Sequence, residues 1–371
     1  MPTPDIFAVG RGQYENIGDI ILRRPLLRWA RECGTLHVYV GNSPDGYDEG
    51  LGITGADRVY RSFGRWYAAL VRSAAKGTAH SLYKPGEIQL TLVGMKEHVA
   101  MLPAATLVRV RGGAVGRVGV GARNFAAVPR AIMKPSNALS SYTRWRDDKT
   151  AAYLGVGAAM PDLGFAEGSP VEALRDAATG EKRDLLVVSL RDDTEVAPRP
   201  YPDRAWLDGI RLAADDLGLR IAVVTQVSVD DARTNLLARD VGAEIIVAWP
   251  EASDHLAQEQ RLRAVYRRTA VAASDRLHVI VAAMTEGAAP VGLQLDDADK
   301  ISRHFDTIGL KGVAVNSRGL SARELADEII ARAQRRDEAL DALAGARERL
   351  ENVRAELHEL LAPRSVQTVS A

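Results

Sequence analysis

Arg276, Leu277 and His278 open a run of small and apolar residues from Val279 to Met284, which is followed by the apolar stretch Pro290 to Leu295 and then by Lys300. The run reads as a buried helix ended by Gly287, and the stretch after it as a core strand. In an α/β sheet the loop before such a helix and the loop after such a strand lie on one side, where ligands bind. Arg276 and Lys300 put positive charge there, and His278 adds a side chain that gains or loses a proton near neutrality. The chemistry is that of an anion site with a proton carrier. An arginine at a helix start also pairs with a neighbouring carboxylate such as Asp275, so both roles stay open for Arg276.

Ser189-Leu190-Arg191-Asp192-Asp193 ends another apolar run with a cation at its carboxyl edge. A guanidinium in that position takes a carboxylate or phosphate in two parallel hydrogen bonds, or else pairs with Asp192 or Asp193 at the surface. Near the N-terminus, Ile6 to Val9 runs into Gly10 and Gly12, but Glu15 stands where a dinucleotide loop needs its third glycine. That loop type is excluded. What remains is Asn16-Ile17-Gly18-Asp19, where Gly18 permits a tight backbone and Asp19 either caps the next helix or accepts hydrogen bonds from a sugar. The segment from Arg111 to Arg123 has glycines at 112, 113, 116, 119 and 121, whose bare amides beside arginines suit a phosphate, with RGG-type RNA binding as a competing reading; because it is apolar and strand-like between its glycines, it is expected to be first a structural turn that also touches ligand.

These residues must be positioned by a scaffold, and its rhythm is visible. Ile6–Val9, a helix over 19–31 and Leu36–Val40 alternate as parallel βαβ units do. Residues 61–98 mix aromatics and bases, Trp66 among them, and are expected to be helix and loop lining a cleft. A helix is expected from Thr143 through Leu154, and a crossing between domains over 167–183. Strands at 185–190, 221–225 and 244–247 then alternate with helices at 201–217 and 229–241. Past Leu320 comes a long amphipathic helix with Leu343, Leu350 and Leu357 at seven-residue spacing, which predicts either a short coiled coil that dimerises the chain or a helix packed on its own domain. The expected division is 1–170, 171–318, a helix over 319–362 and a disordered tail over 363–371.

Composition narrows the function. The 371 residues are 46% hydrophobic and carry 48 Lys and Arg against 48 Asp and Glu. A neutral chain lacks the global basic field of a non-specific nucleic-acid binder, so nucleic acid is not an expected partner. The single Cys33 forms no intrachain disulfide and no zinc motif, which fits a reducing cytoplasm. Neither a signal peptide nor a membrane span is expected, so any membrane contact is peripheral, at the inner face. His255, His278 and His304 lack metal-ligand spacing.

Taken in order, Asn16-Ile17-Gly18-Asp19, Arg146-Asp147 with Leu154-Gly155-Val156, Pro161-Asp162, Ser189-Leu190-Arg191 and Arg276-Leu277-His278 with Lys300 resemble the polysaccharide pyruvyl transferase family over residues 6 to 315. The resemblance implies two Rossmann-like doubly wound domains facing a cleft, a GT-B-like fold, with the long C-terminal helix added. It implies metal-independent transfer of pyruvate from phosphoenolpyruvate onto a sugar diol of a cell-surface polysaccharide, glycolipid or precursor, as a ketal, without a cofactor. Arg191, Leu277, His278 and Lys300 would bind the donor, with His278 and Arg276 catalytic. Asn16, Gly18, Asp19 and Trp66 would meet the glycan acceptor, free or lipid-linked, on the first domain. Two alternatives stand beside this: a GT-B glycosyltransferase using a nucleotide-sugar, and a non-catalytic scaffold that dimerises through its C-terminal helix.

Overall fold

The computed structural model describes residues 3–176, 182–192, 199–249, 254–296 and 298–362. Two parallel sheets carry the molecule. The first holds β1 (Asp5–Val9), β2 (Thr35–Tyr39), β3 (Arg58–Tyr60), β4 (Ala79–Tyr83), β5 (Gly86–Gln89), β6 (Val115–Arg123), β7 (Tyr142–Trp145) and β8 (Ala158–Ala159). Its order is β3-β2-β1-β4-β6-β7-β8, with β5 on β6 beyond the end of β4. The second holds β9 (Leu185–Ser189), β10 (Arg220–Val224), β11 (Ile245–Val247), β12 (Thr269–Ser274), β13 (Ala289–Gln294) and β14 (Ala314–Asn316), in the order β11-β10-β9-β12-β13-β14. Strand order reverses between β1 and β4 in one sheet and between β9 and β12 in the other, and such reversals open a crevice at the carboxyl ends of the strands. The fold is the expected pair of Rossmann-like domains facing a cleft.

Three local expectations are corrected. Residues 61–98 are not only helix and loop: β4 and β5 interrupt them, aligned end to end along β6 with Lys84 and Pro85 between. Tyr142–Trp145 is a strand, so the helix after it is shorter, Asp148–Leu154, started by the Asp147 carboxylate accepting the Thr150 N–H. The segment 111–123 is mostly strand rather than the expected turn, and its structural reading holds in that form. Its glycines lie on or beside the buried strand β6, where a Cβ at Gly121 would reach 2.4 Å from Arg146 Nε.

The C-terminal segment is two helices, Ala322–Ala333 and Arg336–Leu361, and its heptad leucines do not form an open seam. Leu343, Leu350 and Leu357 are each 2% exposed or less, packed against helix Ile17–Cys33 and the 3-10 turn Leu163–Ala166. The coiled coil is therefore replaced by an intramolecular strap, since its apolar stripe is already covered by the chain itself. The strap belongs to a core shared by both sheets, which also takes in Ile6, Leu185 and the apolar side chains of helix Leu277–Met284. The expected tail over 363–371 lies outside the described residues.

Charged side chains complete the junction. Arg24 of helix Ile17–Cys33 reaches Glu259 on helix His255–Arg267 at 2.7 Å, and Arg263 extends the pair to Glu286 at 2.7 Å. Burial alone would lower the Arg24 pKa, yet Glu259 and Glu167 hold it above its ordinary value. Backbone also crosses, because the Ile17 N–H donates to the Gln226 carbonyl at 3.1 Å and the Ser228 N–H to the Glu15 carbonyl at 3.0 Å.

Candidate functional site

The carboxyl ends of both sheets line one cleft of about 1280 Å³. Residues after β1, β6 and β7 face residues after β9, β10, β12 and β13 across it. Twelve Lys and Arg against six Asp and Glu line this space, in a chain whose charges otherwise balance. Clefts with one dominant sign focus the field on an anionic ligand.

The second sheet builds its wall around two aspartates. Asp275 follows β12, and its Oδ1 accepts the Arg191 backbone N–H at 2.8 Å while Oδ2 meets Arg199 at 2.9 Å. Burial pushes the Asp275 carboxyl up to about 6 against the pull of these cations. Arg276 grips Asp230, after β10, at 2.6 and 2.7 Å. The Arg276 charge also bears on Asp275. Of the partners expected for Arg191, Asp192 meets Arg233 at 2.6 Å and Asp193 lies outside the described residues, while the Arg191 backbone N–H donates to Asp275.

His278 sits where the two domains touch. A Cβ on Gly18 would come within 2.9 Å of His278 Cβ and 3.0 Å of its Nδ1, so only glycine admits this approach. On the other side, His278 Nε2 lies 3.5 Å from Asp162 Oδ1. Burial would raise the Asp162 carboxyl, but His278, Arg146 and His304 together hold it well below the usual carboxylate range. Asp19 is treated alike: burial opposes ionisation, and Arg23, the Gln13 N–H and His278 overcome it. The imidazole therefore stands among carboxylates that remain ionised.

Lys300 reaches Glu87 of β5 at 3.1 Å, and Arg123 and Arg146 meet the same carboxylate at 2.9 and 3.3 Å. Burial raises Glu87, and these three cations bring it down to about 2. Arg191, Arg276, His278, Lys300, Asn16 and Asp19 all line the cleft, Leu277 borders it with a 5% exposed side chain, and Gly18 packs beneath His278. Trp66 does not join them. It is fully buried behind the first sheet, donating its indole N–H to the His37 carbonyl at 3.1 Å, and Phe63 and Tyr39 take the cleft position instead. Phe63 and Trp66 share one face of the helix, but Phe63 stands at its mouth and Trp66 lies one turn further in. Glu87, Asp230 and Arg199 carry no local motif. Their signal was positional, each lying in or after a strand whose place in the sheet was not readable from spacing alone.

Among the described residues no group of three or more His, Cys, Asp or Glu side chains is placed to hold a metal ion. No protein-family model matches the chain, and no curated protein matches it significantly. Solved structures do match. HepE from Anabaena, in complex with UDP and glucose, is 13% identical and aligns with a TM-score of 0.52 over 96% of this chain and 99% of its own. Arabidopsis thaliana UGT89C1, complexed with UDP-L-rhamnose, is 10% identical with a TM-score of 0.52 over 98% and 100%. The expectation of a pyruvyl transferase working from phosphoenolpyruvate is corrected by these structures, which hold UDP and a UDP-sugar. At these identities the likeness speaks to architecture, and the architecture of this chain is the two-domain GT-B-like fold.

Proposed function

We propose that the protein is a glycosyltransferase that takes a nucleoside diphosphate sugar as donor and a glycan as acceptor. The observation that carries this reading is the cationic cleft between two Rossmann-like domains, at the strand-order reversal between β9 and β12. The UDP and UDP-sugar held by two proteins of this fold support the choice of donor. A diphosphate bears more than one negative charge, and the excess of Lys and Arg offsets it where burial strengthens each interaction.

In the transfer, an acceptor hydroxyl attacks the anomeric carbon as the bond from that carbon to the diphosphate oxygen breaks. The nucleoside diphosphate leaves with the bonding electrons, and the hydroxyl proton passes to a base. His278 suits that task, since Asp162 beside Nε2 stabilises the imidazolium that forms while Nδ1 is the accepting atom. Asn16 and Asp19 supply polar groups for sugar hydroxyls on the first-domain side.

Calorimetric titration with UDP, ADP and GDP tests the donor side, and release of nucleoside diphosphate from a sugar donor tests the reaction. Saturable binding of at least one is expected. If none binds at millimolar concentration to the folded protein, the reading fails.

A further inference from the structure

The neutral net charge conceals a segregation. Residues 61–146 contain fourteen Lys and Arg but only Glu87 and Glu97 as acids, although the whole chain has 48 of each sign. The three helices of this stretch, Phe63–Lys76, Lys96–Val110 and Ala127–Leu139, pack side by side on one face of the first sheet. Their inward residues, such as Trp66, Met101 and Met133, are buried. Their outward ones are basic: Arg72 and Lys76, Lys96 and Arg109, Arg130 and Lys134 are all exposed, and Glu97 is the sole acid on the three helices. The opposite face of the sheet is closed by helix Ile17–Cys33 and the C-terminal strap, so this one alone looks outward.

Large apolar side chains are exposed on the same face, and all but Val110, 76% exposed at the far end of helix Lys96–Val110, gather at one end. Leu92 and Val93, in the turn before Lys96–Val110, are 65% and 69% exposed, and Val128 at the start of the third helix is 63% exposed. Val99 and Phe63 continue the group. These positions are at the helix starts, and Phe63, Lys84, Lys96 and Phe125 already line the cleft there. Folding gains nothing from leaving such residues in water. Cations beside exposed aliphatic groups match an anionic bilayer, which attracts the charges and takes up the apolar side chains. Single-stranded nucleic acid would call for a row of stacking platforms, whereas Leu92, Val93, Val99 and Val128 are aliphatic and Phe63 is the one aromatic side chain of the exposed group.

We propose that this face of the first domain docks peripherally on an anionic phospholipid surface, with the cleft mouth beside the membrane. Among the described residues no helix is long and apolar enough to cross a bilayer, so contact is made by the surface. The proposal stands independently of the reaction assigned to the cleft.

The test is co-sedimentation of the full chain with vesicles of phosphatidylcholine mixed with phosphatidylglycerol, against phosphatidylcholine alone, at low and high salt. Binding to the mixed vesicles only, weakened by salt, is expected. The triple variant Lys76→Glu, Arg130→Glu, Lys134→Glu should reduce the bound fraction about tenfold or more. Leu92→Ser with Val93→Ser should bind at low salt but lose what remains at high salt. All substituted side chains are exposed, and matching melting curves confirm that the variants fold. Equal binding by the charge-reversed and parent chains, no preference for the anionic vesicles, or binding of duplex DNA in their place would overturn the proposal.

Discussion

Arg276 holds Asp230 through two hydrogen bonds, Nε to Oδ2 at 2.7 Å and Nη2 to Oδ1 at 2.6 Å. The carboxylate is 1% exposed, so the guanidinium is fixed from behind while its edge stands at the cleft. Arg276→Lys keeps the charge but not the fork. Urea denaturation should show a loss of about 1.5 to 3 kcal/mol, the range for a hydrogen bond to a charged group. UDP affinity should fall with it, and an unchanged unfolding midpoint would remove the pair from the account of stability.

His278→Gln keeps a polar side chain of similar size against Gly18 but cannot carry a proton at neutral pH. Turnover should fall by roughly 10²-fold or more with nucleotide affinity retained, the signature of lost general base catalysis. Asp162→Asn should lower turnover too, because the imidazolium loses its partner. A His278→Gln protein that melts earlier yet turns over normally would assign the residue to packing.

Asp275 gives a pH dependence of known sign. Burial raises its carboxyl from 3.8 to about 6, so the folded state keeps a proton that the unfolded chain has released. The resulting stability is complete below the unfolded value and is lost as pH rises through about 6. Relative to Asp275→Asn, which cannot titrate, the parent should lose about 2 kcal/mol between about pH 4 and pH 7, each pK unit corresponding to about 1.4 kcal/mol. Denaturation of both proteins at the two pH values checks this, and parallel profiles would falsify it.

Leu350 lies 2% exposed in the shared core, where a dimer seam was one expectation. Leu350→Ala should cost about 2 to 5 kcal/mol, as buried large-to-small changes do. Light scattering should give the same mass for variant and parent. A change of mass without loss of stability would restore the coiled coil.

Arg24 bridges Glu167 and Glu259 at the domain junction. Glu259→Gln removes one partner of a buried ion network, and the expected destabilisation is about 3 to 5 kcal/mol. Thermal melting would report it. A melting temperature equal to that of the parent would show that Glu167 alone suffices for Arg24.

Much of this protein was legible in its residues. Alternating apolar runs and helix patterns determine the βαβ rhythm, because burial on both faces of a parallel sheet demands continuous apolar strands such as Leu185–Ser189. Side-chain type and local position likewise determine that Arg191, Arg276 and His278 end up beside a strand edge. Partner choice was decided only by the tertiary structure. Arg276 takes Asp230 from 46 residues away, and Lys300 takes Glu87 from a strand hidden inside an aromatic and basic segment. Periodicity marks Leu343, Leu350 and Leu357 as one stripe, yet a stripe is equally satisfied by a second chain or by helix Ile17–Cys33. The excess of cations between residues 61 and 146 is written in the sequence, but that they line one outward face depends on which side of each helix the first sheet buries. Spacing records what a side chain can do; long-range packing decides which partner, and which solvent, it meets.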